Sequence, residues 1–439
     1  MRFNGKPYYD HPPIGFWLMA TSYKIFGINE FSTRFPSAML GLFSIILLYK
    51  IAEVLFRRKE IGFIASLILG TSVWYVIRVR TGDLDSTFIF FYLLTIYFSI
   101  KSAKNIAWFP LVMLSFGSLI LAKTLAGITA AIPITLLHLF NFRNFRDIRK
   151  TILFLGIGIF CLFIAVYPWY HLHLQKYSEF YNYHFIHIGR RDKNLSSFLQ
   201  VSLEKPLFYL HMGVRKWYKL WQLALVMTII NLFALFFSWR KKPKKEILSS
   251  FISYLILLIW NFIVLYPFLA AKEVEIWHLI PTYLPMSLLV AAIFYDIGSM
   301  SYHFLFQNFR KHLVWYRLIY LSAFLFLAIV QIVNFRKEIY PQSRYTSEQV
   351  DISRRLSKYQ QKIYVDGDYL PVAVFYSTKQ INSLVYESSG TETFNKLFAI
   401  DNGDVIGVTQ NWVIDDLRKK NFFLKVLEKN SKYSIIAEQ

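Results

Sequence analysis

The sequence predicts an α-helical polytopic membrane protein that carries a small C-terminal soluble α/β domain. Three observations predict it. Of 439 residues, 55% are hydrophobic and 19% aromatic, only 17% are charged, and the mean hydropathy is +0.37. That is too apolar for a set of soluble domains. The apolar residues fall in runs near the roughly 20-residue length that crosses about 30 Å of hydrocarbon. A formal charge of +22 gathers in short Lys/Arg runs between those stretches, the pattern of cytoplasmic loops rather than of a nucleic-acid surface.

The elements follow in chain order. Residues 14 to 26, with Lys24 among them, are too few to cross and predict an interfacial helix. About ten spans come next, over residues 35–56, 61–79, 86–100, 107–121, 125–141, 151–170, 220–239, 249–269, 277–297 and 318–334. With the spans alternating, FRRKE (56–60), NFRNFRDIRK (141–150), RKKPKKE (240–246) and NFRKHLVWYR (308–317) share one side, which the positive-inside rule makes cytoplasmic. The N-terminal loop, the TGDLD turn, the large loop over residues 171–219 and the C-terminal region then lie on the opposite face.

Residues 1–335 thus read as the membrane domain, with outer loop and interfacial helix over 1–34, and residues 336–439 as an extracytoplasmic domain. In the latter, KIYVDG, VAVFYS, INSLVYE and DVIGVTQ read as strands and NWVIDDLRKKN as a helix. It has no Gly-rich phosphate loop and no metal-spaced Cys/His cluster, and reads as an accessory domain. Cys161, the single cysteine, sits in an apolar run and reads as a packing residue. No basic region followed by an apolar run opens the chain. A start on the outer face with neither signal nor preceding span predicts a missing first helix.

Ionisable groups at membrane boundaries are costly to keep and therefore point to chemistry. VIRVRTGDLDSTF (76–88) places Arg78, Arg80, Asp83 and Asp85 between two spans. Such a carboxylate pair accepts a proton, binds a divalent metal or orients a hydroxyl, or else is a salt-bridged helix cap favoured by the helix dipole. In DHPPIGFWLMA (10–20), Pro12 and Pro13 start a helix with Asp10 and His11 at its mouth. Lys123 interrupts two apolar runs and either snorkels to the interface or serves as a point charge for a phosphate oxygen. HIGRRDKN (187–194), with Arg190 and Arg191, suits lipid phosphates or generic headgroup contact. AAKEVEIWHLIPTYLP (270–285) adds His278 at another outer boundary, where a solvated turn is the default.

Taken together, YYDHPPIGFWLMATSYKIFGINEFSTRFPSAMLG (8–41), RTGDLDSTF (80–88), LAKTLAGI (121–128), YPWY (167–170) and WHLIPTYLP (277–285) resemble the polyprenyl-phosphate-dependent GT-C glycosyltransferases. This is the superfamily of protein O-mannosyltransferases and lipid A aminoarabinose transferases. The resemblance covers most of residues 5–300. It implies a multi-pass bacterial inner-membrane enzyme that moves a sugar from a polyprenyl-phosphate donor to an envelope lipid, glycan or protein hydroxyl on the extracytoplasmic face, among membrane lipids. By resemblance Asp85 matches a carboxylate at the start of the fourth family helix, Lys123 a lysine after the following span, and Arg34 the arginine before PSA; Arg80 and His278 join the phosphate-binding set. Relatives commonly have Lys where this chain has His11, whose charge depends on pH. The family's acidic residue in the first outer loop has no counterpart, which leaves two readings. Asp10, Asp83 or Asp85 takes its place, or the chain is a catalytically inactive relative that serves as a lipid-phosphate-binding scaffold or carrier.

Overall fold

The structure, a computed structural model, describes residues 2–8, 11–140, 147–182, 184, 201–241, 244–271, 274–306, 313–340, 346–366, 369–400 and 404–438. The chain forms two compact units, Tyr9–Tyr340 and a second made of Met1–Tyr8 with Pro341–Gln439. A division at residue 335 had placed the first residues with the membrane domain; in the structure they group with the C-terminal one.

The larger unit is helical. Its helices are α1 (Ile14–Phe26), α2 (Glu30–Phe56), α3 (Lys59–Gly70), α4 (Val73–Arg80), α5 (Asp85–Ser102), α6 (Phe109–Gly127), α7 (Ala131–Phe140), α8 (Ile148–Lys176), α9 (Glu204–Val214), α10 (Trp217–Lys241), α11 (Lys245–Leu269), α12 (Tyr283–Phe306), α13 (Leu313–Asn334) and α14 (Arg336–Ile339), with a 3-10 segment at Ile276–Thr282. Among the described residues, seven stretches are long and apolar enough to cross a membrane, or eight if one bent pair counts as a span. The expected stretch 86–100 is the 18-residue α5, whose apolar character is diluted by Asp85, Lys101 and several hydroxyls. Most of those polar groups are buried inside the bundle. The stretch 125–141 yields only a short helix. Of the most apolar window in Ile276–Tyr302, 89% is buried, against 6% for Ile148–Lys176. The first is therefore the central pillar, and the second packs one face on α6 through Gly158, Leu162 and Ala165 while leaving most of its apolar side chains exposed, as a lipid-facing helix does.

The expected span 61–79 is broken. α3 and α4 meet at 69° because Gly70, Thr71 and Ser72 interrupt the helix. Thr71 and Ser72 turn their hydroxyls back to the Leu67 and Ile68 carbonyls at 2.6 and 2.8 Å, a bonding pattern that bends helices. Trp217 Nε1 donates to the Thr71 hydroxyl at 3.0 Å, and Gln331, itself fully buried, donates to the Thr71 carbonyl at 3.3 Å. The bend turns α4, which carries Arg78, away from the line of α3.

The smaller unit holds a hairpin, β1 (Arg2–Phe3) with β2 (Lys6–Pro7), and a five-stranded sheet of order β4-β3-β5-β7-β6. Its strands are β3 (Lys362–Val365), β4 (Ile381–Ser383), β5 (Val405–Gln410), β6 (Lys425–Lys429) and β7 (Tyr433–Ala437). α15 (Ser347–Arg355) and α16 (Leu370–Ser377) pack on one face, α17 (Gly390–Phe398) and α18 (Asn411–Lys419) on the other. VAVFYS, expected as a strand, is α16. Pro371 near its start favours helix, and so short an apolar run has no distinguishing period.

The hairpin turns on Asn4 and Gly5, both at positive φ, as Asn-Gly favours. Asn4 Oδ1 accepts from the Ile381 amide at 2.7 Å, and its Nδ2 donates to the Ile381 carbonyl. One side chain thus satisfies both backbone groups at the exposed edge of β4. Asn4→Ala is expected to release the hairpin at a local cost of about 1–3 kcal/mol. Faster amide exchange at residues 381–383 is the measurement that checks it.

Candidate active site

α5 begins at Asp85, where the dipole of an 18-residue helix favours a carboxylate. The side chain is only 4% exposed, and an isolated charge so placed is untenable. Two cations answer it. Lys123 of α6 donates to Oδ1 at 2.6 Å and Arg78 Nε of α4 donates to Oδ2 at 2.7 Å. Arg78 also donates through its terminal nitrogen to Asp83 Oδ2. Asp83 stands in the turn, where its Oδ1 accepts from the Leu84 amide at 2.7 Å. Burial, then the neighbouring Asp85 charge, hold the Asp83 carboxyl above the ordinary carboxylate range, against the pull of Arg78 and Lys123.

The turn is shaped for this purpose. Gly82 has φ 73°, and a Cβ there would stand 3.1 Å from the Thr33 carbonyl of α2, so only glycine lets the carboxylates sit so tightly on α2. Ser37 of α2 bonds the Ser86 hydroxyl at 2.7 Å and fixes the start of α5. Gly15 of α1 lies directly against Leu84 and Thr87, which brings the start of α1, and the His11-Pro12-Pro13 sequence before it, to the same end of the bundle.

The WHLIPTYLP stretch closes the other side. The Trp277 ring lies 5.8 Å from that of Trp74, tilted by 36°, and under the Arg78 guanidinium at 5.0 Å. Trp74 and Arg78 are one helical turn apart, so both face it. His278 accepts at Nδ1 from the Glu275 amide at 3.2 Å and caps the segment. Tyr283, the first residue of α12, is fully buried and its hydroxyl has no hydrogen-bond partner among the described residues. A Cβ on Gly213 would fall 1.7 Å from that hydroxyl. Gly213→Ala is expected to destabilise by about 1–3 kcal/mol through overpacking, whereas Tyr283→Phe leaves the unfolding temperature nearly unchanged, because no hydrogen bond is lost.

The residues singled out in sequence separate accordingly. Asp83, Asp85 and Lys123 converge. Arg80 does not join them: it donates to the Ile339 carbonyl and lies 4.3 Å over the Tyr340 ring. It sits two residues from Arg78 on a helix, so the two point to nearly opposite sides. Arg34 is exposed on the first turns of α2, and His278 serves as a cap. Asp10, Arg190 and Arg191 lie outside the described residues, as do Lys272 and Glu273. Arg78, the hub of the cluster, stands in the run singled out in sequence, but the phosphate-binding set drew Arg80 from that run instead. Its signal was the Trp74–Arg78 spacing, legible only once Trp277 is known to lie opposite. Among the described residues no three His, Cys, Asp or Glu side chains group as metal ligands. Asp83 and Asp85 both face guanidinium and ammonium groups, a setting that does not fit a divalent cation.

Comparison with known proteins bears on the same region. The model of the dolichyl-phosphate-mannose-protein mannosyltransferase family matches residues 10–171. Undecaprenyl phosphate-alpha-4-amino-4-deoxy-L-arabinose arabinosyl transferase of Yersinia pestis (strain Pestoides F) is 26% identical over 307 residues, 66% of this chain and 50% of that one. An uncharacterized protein of Aquifex aeolicus is 30% identical over 129 residues, 28% of this chain and 26% of that one. The match thus spans about half the length of the Yersinia relative. The crystal structure of ArnT from Cupriavidus metallidurans bound to undecaprenyl phosphate superposes with a TM-score of 0.66 at 16% identity, covering 100% of this chain and 89% of that one. That likeness establishes a shared fold.

Proposed function

Since the chain is a GT-C-type member of the superfamily of protein O-mannosyltransferases and lipid A aminoarabinose transferases, we propose that it transfers a sugar from a polyprenyl phosphate to a hydroxyl of an envelope lipid, glycan or protein. The reaction takes place at the end of the bundle opposite the Lys/Arg runs, in a bacterial inner membrane with the site on the extracytoplasmic side. The observation that carries this reading is the Arg78–Asp85–Lys123 cluster with Asp83 beside it.

The acceptor oxygen attacks C1 of the sugar and the bond from C1 to the phosphate oxygen breaks, its electrons passing to the phosphate. The acceptor proton goes to Asp83. With all four side chains charged the cluster is neutral; once Asp83 takes the proton it becomes net positive, just as the departing polyprenyl phosphate gains a negative charge. Neutral Asp83 also loosens its hold on Arg78 and frees that guanidinium for the phosphate. Stabilisation that grows as charge develops lowers the barrier rather than merely tightening binding. Asp85 keeps its oxygens on both cations throughout and acts as their anchor. His11 and Arg34, at the same end of the bundle, complete a basic rim for the lipid phosphate.

Lys123→Met is expected to lower transfer by roughly 10²-fold in an assay with a polyprenyl-phosphate sugar and purified protein. Undiminished transfer by a folded variant removes Lys123 from the site.

A further inference from the structure

α4 is only eight residues long, too short to hold its place by its own hydrogen bonds. Where Arg78 stands is therefore decided by what α4 packs against. One stretch of chain, from the last turn of α13 through α14, holds it at both ends.

At the first end, the helix breaks after α3 and after α9 face each other. α9 stops at Val214, and Arg215, at φ 53°, turns the chain towards α10. A helix that stops leaves carbonyls without partners. Gln331 of α13, fully buried, supplies them. Its Nε2 donates to the Thr71 carbonyl at 3.3 Å and to the Val214 carbonyl at 3.0 Å, while its Oε1 accepts from the Lys216 amide at 3.3 Å. These three partners leave the amide one orientation, since a flipped side chain would set its oxygen against two carbonyls. At the other end Arg80, the last residue of α4, donates to the Ile339 carbonyl and lies over the Tyr340 ring.

The stretch between these two holds is stiff. The Phe335 amide donates to the Gln331 carbonyl at 3.2 Å, Ile339 to Phe335 at 3.0 Å and Tyr340 to Arg336 at 2.9 Å, so helical bonding runs on past the end of α13. Arg215 ties it down through an ion pair to Glu338 at 2.5 Å. Thr71 and Arg80 are nine residues apart, as are Gln331 and Tyr340, and nine residues of helix span roughly 13 Å. The two holds therefore match in spacing. Because Arg80 and Arg78 point to nearly opposite sides of α4, the stretch backs the helix on the side away from Asp83 and Asp85.

We propose that residues 331–340 are a splint for α4, and that Gln331 and Arg80 are positioning residues that hold the Arg78 guanidinium where it meets the departing phosphate. The inference rests on the transferase reading above, in which Arg78 passes from Asp83 to the phosphate. A misplaced charge that acts only in the transition state slows the chemical step and leaves donor binding alone.

The test uses the full chain in lipid nanodiscs with a polyprenyl-phosphate sugar and an envelope extract as acceptor, and compares Gln331→Leu, Arg80→Met and Arg78→Met. Arg80 is exposed, so Arg80→Met keeps the fold even if the buried change at Gln331 does not. Amide exchange over residues 73–80 is expected to quicken in both splint variants. In each, kcat falls about tenfold with the KM for donor unchanged, and neither change slows Arg78→Met further, because both act through Arg78. Exchange over 73–80 unaltered in both variants overturns the splint. A raised KM with unchanged kcat in Arg80→Met makes Arg80 a donor contact, and losses that multiply with that of Arg78→Met make the effect one of general stability; either overturns the positioning role. Wild-type transfer by Arg78→Met overturns the reading of the cluster itself, and the positioning role with it.

Discussion

Asp85→Ala is expected to abolish measurable transfer, by roughly 10³-fold or more, and to destabilise the helical unit as well. Removing the carboxylate leaves Arg78 and Lys123 facing each other at a largely buried position, and breaking a buried pair by deleting one partner costs about 3–5 kcal/mol. Stability and activity separate in the double variant. Asp85→Ala with Lys123→Met removes the cation that loses its printed carboxylate partner, since Arg78 keeps Asp83, and is expected to recover much of the unfolding temperature, while transfer stays lost. A double variant no more stable than Asp85→Ala alone would mean that Asp85 is not the electrostatic anchor described above.

Asp83→Asn is expected to lower transfer by roughly 10²–10⁴-fold while the fold is kept, since Arg78 remains held by Asp85. As the proposed base, Asp83 must be ionised to take the acceptor proton. Its carboxyl is held above the ordinary carboxylate range by burial and by Asp85, so wild-type activity should fall with acidification while ordinary carboxylates are still ionised. The sign is fixed: activity is full above the raised pKa and lost below it. An acid limb that persists in residual Asp83→Asn activity would assign the proton to another group.

Much of this was legible in the sequence, for reasons particular to each part. α1 was found at Ile14–Phe26 because Pro13 starts it and a dozen apolar residues bear a lysine. The carboxylates and Lys123 stood out because charge at an apolar boundary is costly. The break between α3 and α4 was hidden, because hydropathy sees Gly70, Thr71 and Ser72 as a small dip; the partners that hold Thr71 at the bend, Trp217 and Gln331, are both remote in sequence. The same remoteness concealed Arg78, since the choice between two arginines depends on where Trp277 lies. The hairpin at Asn4-Gly5 carried a readable turn signal, but its docking on β4 is a contact across more than three hundred residues.

The role proposed for the cluster at the start of α5 is to drive departure of a polyprenyl phosphate. The most direct test incubates the purified full chain with a polyprenyl-phosphate sugar and an envelope extract as acceptor, and follows free polyprenyl phosphate by mass spectrometry. Wild-type protein is predicted to release it catalytically, with Lys123→Met slower by roughly 10²-fold and Asp83→Asn by roughly 10²–10⁴-fold, both still folded. Donor that binds to wild-type protein without being cleaved, or release at equal rates by all three proteins, contradicts the account.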